Sequence, residues 1–550
     1  MFIYAKHYIL TGEAISLHNL PLLIKCLAGK SDPKNSDLWL PLWMHCRDTA
    51  DVFCFLVQNW LPEATRIQIG LEEDLLVRTA RFLGLVHDFG KATALFQSRI
   101  LAHIPEAAER FNAFFSLPTT FRSGKATPHA RASEAILLEL GCPPFLASIA
   151  GAHHGKPQEE FLNDSVFDQI ELYSGNYWGK GQKQQWTKLW EELFQFALEE
   201  SGFEAVDALS EPSFSAGLLL TGLLTMADWI ASNSTYFPLL SSEDTGNETL
   251  YPDRPYRAWR TLSLTSPWES VYSSIDLHTF RKQFGFDPNT IQQAILAIAS
   301  TASSPGIFIL EAPMGVGKTE AALAAAEVLS HRFHAGGLFF GLPTQATTNG
   351  IFGRLKDWAE TQSLEMVHSI RLAHGAAELN EEYQELFSGS AVTEEDCSEN
   401  GVLVHRWFQG NKQALLADFV IGTVDQLLLA ALKQKHVMLR HLGLSGKVVI
   451  IDECHAYDAY MNHYLERALA WLGCYHVPVI LLSATLPAQR RVSLIQSYLG
   501  AQVPGIWQKN QSYPLLTWTD AGQINQQAIH LKQEEKRCIV LRLILTKSLI

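Results

Sequence analysis

Eight cysteines occur in 550 residues, and no two form a CxxC pair. With Cys46, Cys54, Cys397 and Cys454 scattered in this way, neither a zinc ribbon nor a disulfide framework is expected, and a reducing cytoplasm suits the chain. Long apolar runs are missing as well. The longest, Ala216 to Ala227, is interrupted by Thr and Gly and ends at Asp228. It falls short of the ~20 residues a bilayer span needs. The opening MFIYAKHYILTGEA brings charge and polarity too early for a secretory leader. Positive charge is in deficit, 43 Lys and Arg against 57 Asp and Glu, for a net charge of −14. That excludes a uniformly basic nucleic-acid coat but leaves room for a local basic track on an acidic body. Repeats and low-complexity tracts are also lacking. What remains, 47% apolar and 18% charged residues, is the balance of a soluble globular protein with no membrane partner. Its length implies two to four domains.

The texture changes along the chain. Residues 1–240 carry helical apolar spacing, as in DLLVRTARFLGLVHDF and ASEAILLELG, with no long β-branched runs, so an all-α domain is expected. The polar, turn-rich SSEDTGNETLYPDRPYRAW reads as part of a connector over 241–289. From 290 to 515, short buried-strand runs (GIFILEAP, GLFFGLP, FVIGTV, KVVIIDE, PVILLSAT) alternate with helical segments. This alternation predicts an α/β domain with a parallel sheet and crossover helices. Glu378 to Asn400 is acidic and irregular and reads as an insertion or mobile loop.

In GIFILEAPMGVGKTEAALAAA a strand runs into a glycine-rich turn and then an Ala-rich helix. Gly315 and Gly317 let backbone N–H groups close around a phosphate chain at the helix N-terminus. Lys318 would reach the β and γ phosphates, and Thr319 would offer a hydroxyl to Mg²⁺. Ala312 replaces the first glycine of the general pattern. Further on, KVVIIDECH sets Asp452 and Glu453 at the end of a buried strand, where carboxylates can hold Mg²⁺ through water and activate an attacking water. After the next apolar strand, Ser483, Ala484 and Thr485 are small residues suited to linking nucleotide state to a nucleic-acid path.

A second constellation lies in the helical region: His45, His87–Asp88, His129, His153–His154 and Asp228. Among 20 histidines most are ordinary surface or core residues, and His7, His18 and His103 are assigned there. The chosen set differs by its surroundings. LGLVHDFGKATALFQ, ASIAGAHHG and MADWIAS place imidazoles and carboxylates on otherwise apolar segments, where an unpartnered charge is costly. Imidazole with carboxylate suits divalent first-row metals, and a pair of ions ~3.5–4 Å apart can clamp an in-line attack on a phosphodiester.

The order GKT, PTQA, TVDQ, DECH and SAT resembles the first RecA-like lobe of superfamily 2 DExH helicases. By that resemblance Thr344 and Thr423 would touch the DNA backbone, and Gln292, in PNTIQ, would read adenine. HCRDTA, HDFGK, PHARASE, the HH pair and ADW resemble the nuclease branch of the HD phosphohydrolase superfamily. An HD domain directly before a DExH lobe is similar to the CRISPR-associated HD nuclease–helicase of type I systems. The resemblance implies a two-metal site of His45, His87, Asp88, His129, His153, His154 and Asp228, holding Fe, Mn, Co or Ni. It places Lys91 near the scissile phosphate, with Asp88, Lys91 and Glu453 as catalytic residues and ATP with Mg in the lobe. It implies recruitment by an RNA-guided surveillance complex to a displaced, single-stranded stretch of DNA, where the strand is nicked and the DNA is then unwound and degraded. Residues 516–550 are expected to begin a second RecA-like lobe whose arginine-finger motif is not seen, so a separately encoded second lobe is a further expected partner. Two other readings remain: a nucleotide-cleaving HD phosphohydrolase with an ATP-sensing lobe, and a non-catalytic module docked on the surveillance complex.

Overall fold

The computed structural model describes residues 20–531, apart from 123, 156–164, 242–252, 363–366, 374–376, 378, 379, 381, 382, 384–400, 404 and 411. Most of the acidic segment Glu378 to Asn400 therefore lies outside the described residues, as does EEKRCIVLRLILTKSLI. The chain divides into two compact units. The first is built from Met1–Pro267, His405–Ala417 and Leu432–Gly446, and the second from Trp268–Val404, Asp418–Ala431 and Lys447–Ile550.

The first unit is helical, as its periodicity predicts. The helix Glu73–Val86 opens with Glu73 and Asp74, acids that suit the positive end of the helix dipole. It lies directly against the helix Leu42–Phe55, because Gly84 has no side chain there. A Cβ at Gly84 would sit 2.4 Å from the Cα of Ala50. This close approach sets the spacing between His45 on one helix and His87 at the end of the other. The helix Phe214–Ala231 is capped by the Ser213 hydroxyl, which accepts from the Ala216 N–H. Among the described helices it is the one long and apolar enough to cross a membrane, yet most of it is buried inside this unit.

Three features depart from the sequence expectations. The unit carries a small antiparallel sheet, β1 (Ala28–Ser31), β2 (Leu38–Pro41) and β3 (Leu240–Ser241), which short, partly polar strands did not signal. The expected connector holds a helix, Arg254–Leu262, anchored to the unit by a buried pair from Arg254 Nε to Asp48 Oδ2 at 2.9 Å. The third is a helix from the second half of the sequence, Val437–Ser445, which packs on Phe214–Ala231. A Cβ at Gly222 would come within 2.8 Å of the Met438 carbonyl oxygen, and the Ser445 hydroxyl lies 3.2 Å from that of Thr65.

The second unit contains β4 (Ile307–Glu311), β5 (Leu338–Leu342), β6 (Val367–Ala373), β7 (Gly401–Leu403), β8 (Phe419–Thr423), β9 (Val448–Ile451), β10 (Val479–Ser483), β11 (Leu515–Asp520) and β12 (Gln523–Ala528). They form one sheet in the order β12-β11-β4-β10-β9-β5-β8-β6-β7. From β4 to β7 every pairing is parallel. Fully buried apolar runs such as VILLS and VVII are what a sheet covered on both faces requires. β11 and β12, expected from residue 516 to open a second lobe, instead add antiparallel to the β4 edge of this sheet. The motif segments all follow the C-terminal ends of parallel strands, where open α/β sheets place their ligands.

Overfilling the contact at Gly84 tests the packing that spaces the two ligand helices. Gly84→Val is expected to destabilise the first unit by about 1–3 kcal/mol. Denaturant titration monitored by circular dichroism measures this, and a variant as stable as the parent contradicts it.

Candidate metal centre and nucleotide cleft

The first unit brings all seven predicted metal residues together. His45, His87, Asp88 and Asp228 form one buried group, and His129, His153 and His154 form a second, more open one. Asp88 joins them. Its Oδ2 lies 3.1 Å from His45 Nε2 and 3.4 Å from His87 Nε2, while its Oδ1 lies 3.7 Å from His129 Nε2 and 3.6 Å from His153 Nε2. Asp228 Oδ1 completes the first group at 3.4 Å from His45 and 3.6 Å from His87. Lys91 Nζ reaches Asp88 Oδ2 at 2.6 Å from the 3₁₀ turn Phe89–Lys91.

Local backbone chemistry aims the imidazoles. His87 follows the end of its helix, where its Nδ1–H donates to the Gly84 carbonyl at 2.8 Å. His153 does the same with Ala150 at 2.7 Å. Each bond points Nε2 inward, the outer-sphere support that metal-ligating histidines ordinarily have. Gly90 presses against the next ligand: a Cβ there would meet the His129 carbonyl oxygen at 1.9 Å. His154 Nε2 lies 2.6 Å from His129 Nε2.

These donors fit a pair of divalent ions. Both ring nitrogens of His45, Nε2 of His87, Nε2 of His153 and Oδ1 of Asp88 are buried without a hydrogen bond of ordinary geometry. Orphaned groups of this kind are rare unless an ion or a ligand satisfies them. Burial would raise the Asp88 carboxyl, but Lys91, His87 and His45 outweigh it and hold Asp88 well below the usual carboxylate range. Asp228 is depressed likewise, burial being overcome by His45 and His87. Burial lowers His153 to about 3 and His129 to about 4, so both are neutral, the form that ligates. His87 runs the other way: burial lowers it, but Asp88 and Asp228 raise it to about 9.

Sequence reasoning missed two contributors. Lys30, on β1, is the second cause after burial of the lowered His45. Gln97 accepts from the Ala28 N–H and donates to the carbonyls of Ala28 and Lys91, pinning β1 to the HDFGK segment. A lone Lys and a lone Gln carry no spacing signal of their own.

In the second unit, Gly315 and Gly317 take positive φ of 69° and 77°, turning the backbone ahead of the helix Lys318–Phe333. They line a cleft of about 800 Å³ with Lys318, Thr319, Asp452 and Glu453. Lys318 Nζ folds back on the carbonyls of Ala312 and Pro313 at 2.9 and 3.3 Å. Burial lowers Lys318, opposed by Glu453 and Asp452, and burial raises Asp452 to about 6. Gln292 borders the cleft, but its amide is engaged. Its Oε1 accepts from the Asn289 N–H in a capping box, and its Nε2 donates to the Gly317 carbonyl at 3.0 Å. Thr344 is exposed at the start of a helix, whereas Thr423 is buried at the end of β8. His455 links two motifs: its Nε2 is 3.2 Å from Glu453, and its Nδ1 is 3.3 Å from the Ser483 hydroxyl and accepts from the Ala484 N–H at 3.4 Å. The Ser483 hydroxyl also donates to the carbonyl of Thr485.

Residues 29–237 match the family described as Cas3, HD domain, and residues 289–492 match DEAD/DEAH box helicase. Over 94% of its length the chain is 41% identical to the CRISPR-associated nuclease/helicase Cas3 of Streptococcus thermophilus. The chain carries a Cas3-type HD domain followed by a DEAD/DEAH box helicase domain. It spans 58% of the length of that relative. The crystal structure of T. fusca Cas3-AMPPNP superposes with a TM-score of 0.72 at 27% identity, over 91% of this chain and 56% of that one. A chain described as CRISPR RNA-guided surveillance complex, pre-nicking, matches with a TM-score of 0.61 at 26% identity, over 92% and 53%. These likenesses accord with the helical HD unit and the RecA-like sheet.

Because His87 titrates at about 9, loading a divalent ion at pH 7 is expected to displace its proton. The group is protonated below that value, so affinity falls as pH drops from 9 toward 7, by about tenfold per unit. Calorimetry with Mn²⁺ in buffers of different ionisation enthalpy measures the released proton, and a buffer-independent enthalpy contradicts it.

Proposed function

We propose that the first unit is a metal-dependent nuclease acting on single-stranded DNA and that the second is the ATP-binding lobe of a superfamily 2 motor. The chain would work in the cytoplasm in antiviral defence, degrading invading DNA under the direction of an RNA-guided type I surveillance complex. The observation that carries this reading is Asp88, one carboxylate with an oxygen toward each of two imidazole groups.

His45, His87 and Asp228 would hold one ion and His129, His153 and His154 the other, with Asp88 between them. Mixed imidazole and carboxylate donors favour Fe, Mn, Co or Ni. When bound, the ions supply Lewis acidity toward the phosphodiester and a nucleophile near neutral pH. The chain's own groups do the rest. Neutral His129 and His153 offer lone pairs rather than charge. Lys91, held at 2.6 Å from Asp88, keeps a cation beside the site where phosphate oxygens gather negative charge. Apolar helices around Asp88 and Asp228 exclude water and strengthen each of these interactions.

In the cleft, Lys318 would swing from the loop carbonyls to the β and γ phosphates, while Thr319 and Asp452 would hold Mg²⁺. Glu453 would orient an attacking water. Its contact through His455 to Ser483 and Ala484 supports a mechanical route from nucleotide to DNA path. The surveillance-complex partner is supported by the likeness to a chain described as part of such a complex.

With Mn²⁺ or Co²⁺ the full chain is expected to cut circular single-stranded DNA and to leave free nucleotides intact. Asp88→Ala should lower the rate by at least about a hundredfold. Lys318→Ala should abolish ATP binding while leaving this cutting within about twofold. Undiminished cutting by the Asp88 variant, or cleavage confined to nucleotides, overturns the proposal.

A further inference from the structure

A second cavity opens beside the metal centre. It has a volume of about 430 Å³ and is lined by Leu95, Phe96, Arg99, Ile100, Gly124 and His129, among others. That volume lies within the usual range for small-molecule sites. We propose that it receives one base of the bound single strand, stacked on Phe96, with Arg99 on the adjoining phosphate. This rests on the nuclease reading above and adds to it a subsite with its own chemistry.

The helix Ala94–Leu101 supplies most of the wall. Leu95, Phe96, Arg99 and Ile100 fall at i, i+1, i+4 and i+5, two neighbouring rows on one helix face. The result is an apolar floor beside an aromatic ring and a cation. The Phe96 ring is fixed from the metal side. It meets His129 edge-on with centroids 5.7 Å apart, and Lys91 Nζ stands 5.7 Å from its centroid. One aromatic ring therefore touches both a metal-group imidazole and the lysine paired to Asp88. A base stacked there belongs to a nucleotide next to the phosphate held at the centre.

Arg99 is exposed, and among the described residues no carboxylate lies within ion-pair distance of it. Its guanidinium lies against Gly124, where a Cβ would come within 1.8 Å of Nη2. The absence of a side chain at Gly124 is what leaves room for a planar cation along the pocket. A guanidinium with no described carboxylate beside it, an aromatic ring and an apolar floor together recognise a nucleotide of any sequence, because every base has a π-face and every nucleotide a phosphate.

The test uses the full metal-free chain in EDTA and an oligodeoxynucleotide bearing 2-aminopurine, whose fluorescence is quenched by stacking. Wild-type protein is expected to bind and quench. Phe96→Leu keeps an apolar side chain but loses the π-face, and should weaken binding about tenfold and abolish the quench. Phe96→Trp should retain both. Arg99→Gln should reduce the slope of log affinity against log salt by about 0.7, the contribution of one phosphate contact on a single strand. Quenching and affinity unchanged in Phe96→Leu, or a salt slope unchanged in Arg99→Gln, overturns the proposal. No cutting is needed for this readout. Failure of the nuclease reading and failure of the pocket are thus separable.

Discussion

Two carboxylates, Asp88 and Asp228, sit almost fully inside a bundle of apolar helices, and the rest of the first unit is arranged around that fact. A buried unpaired carboxylate is unstable, so the chain must supply positive charge or give up the ionised form. Lys91 supplies one charge directly. His87 supplies another by holding its proton to about 9. The other imidazoles respond oppositely, since desolvation drives them neutral before the carboxylates can charge them. The outcome is a site with ionised oxygens and free nitrogen lone pairs in the same dry volume. That combination is useless for packing and suited to cations.

The second unit obeys a different constraint. A parallel sheet ends all its strands on one edge, so residues far apart in sequence become neighbours without any long-range pairing of side chains. β4, β10, β9 and β5 are adjacent in that order, and their C-terminal ends carry the glycine-rich turn, the SAT residues, the Asp452–Glu453 pair and the PTQA segment. His455 then needs only a short reach to tie Glu453 to Ser483. Contact between those motifs is a property of the strand order more than of any one residue.

Much of this was legible from the residues, for identifiable reasons. His87–Asp88 and His153–His154 stood out because polar doublets on apolar helices conflict with their surroundings, and such conflicts mark sites. Gly315 and Gly317 were legible because a glycine-rich turn between a strand and a helix suits a phosphate chain, and the structure adds that both take positive φ. Gln292 was less so: its place in the sequence matched a base reader, but Asn289 three residues earlier makes it the other half of a capping box. β11 and β12 fell in the stretch expected to begin a second lobe, an expectation that rested on the apolar EEKRCIVLRLILTKSLI rather than on these two strands, which pair beside β4. Lys30, Gln97 and the pocket around Phe96 had no pattern to reveal them, since they act through neighbours that folding supplies. The helix Val437–Ser445 carried apolar periodicity, but nothing local in it names the unit whose core it completes.

That last helix has a consequence for how the protein comes into being. Its apolar face fills a surface of Phe214–Ala231, where Gly222 is bare enough to admit the Met438 carbonyl. A nascent chain that has emerged only to residue 267 has made every metal ligand but still lacks this cover. Domains generally complete themselves as units during synthesis. Here the core of the first-made unit can be complete only once residue 446 has emerged, well after the glycine-rich turn has been translated. The chain therefore cannot finish its older half without first making much of its younger one.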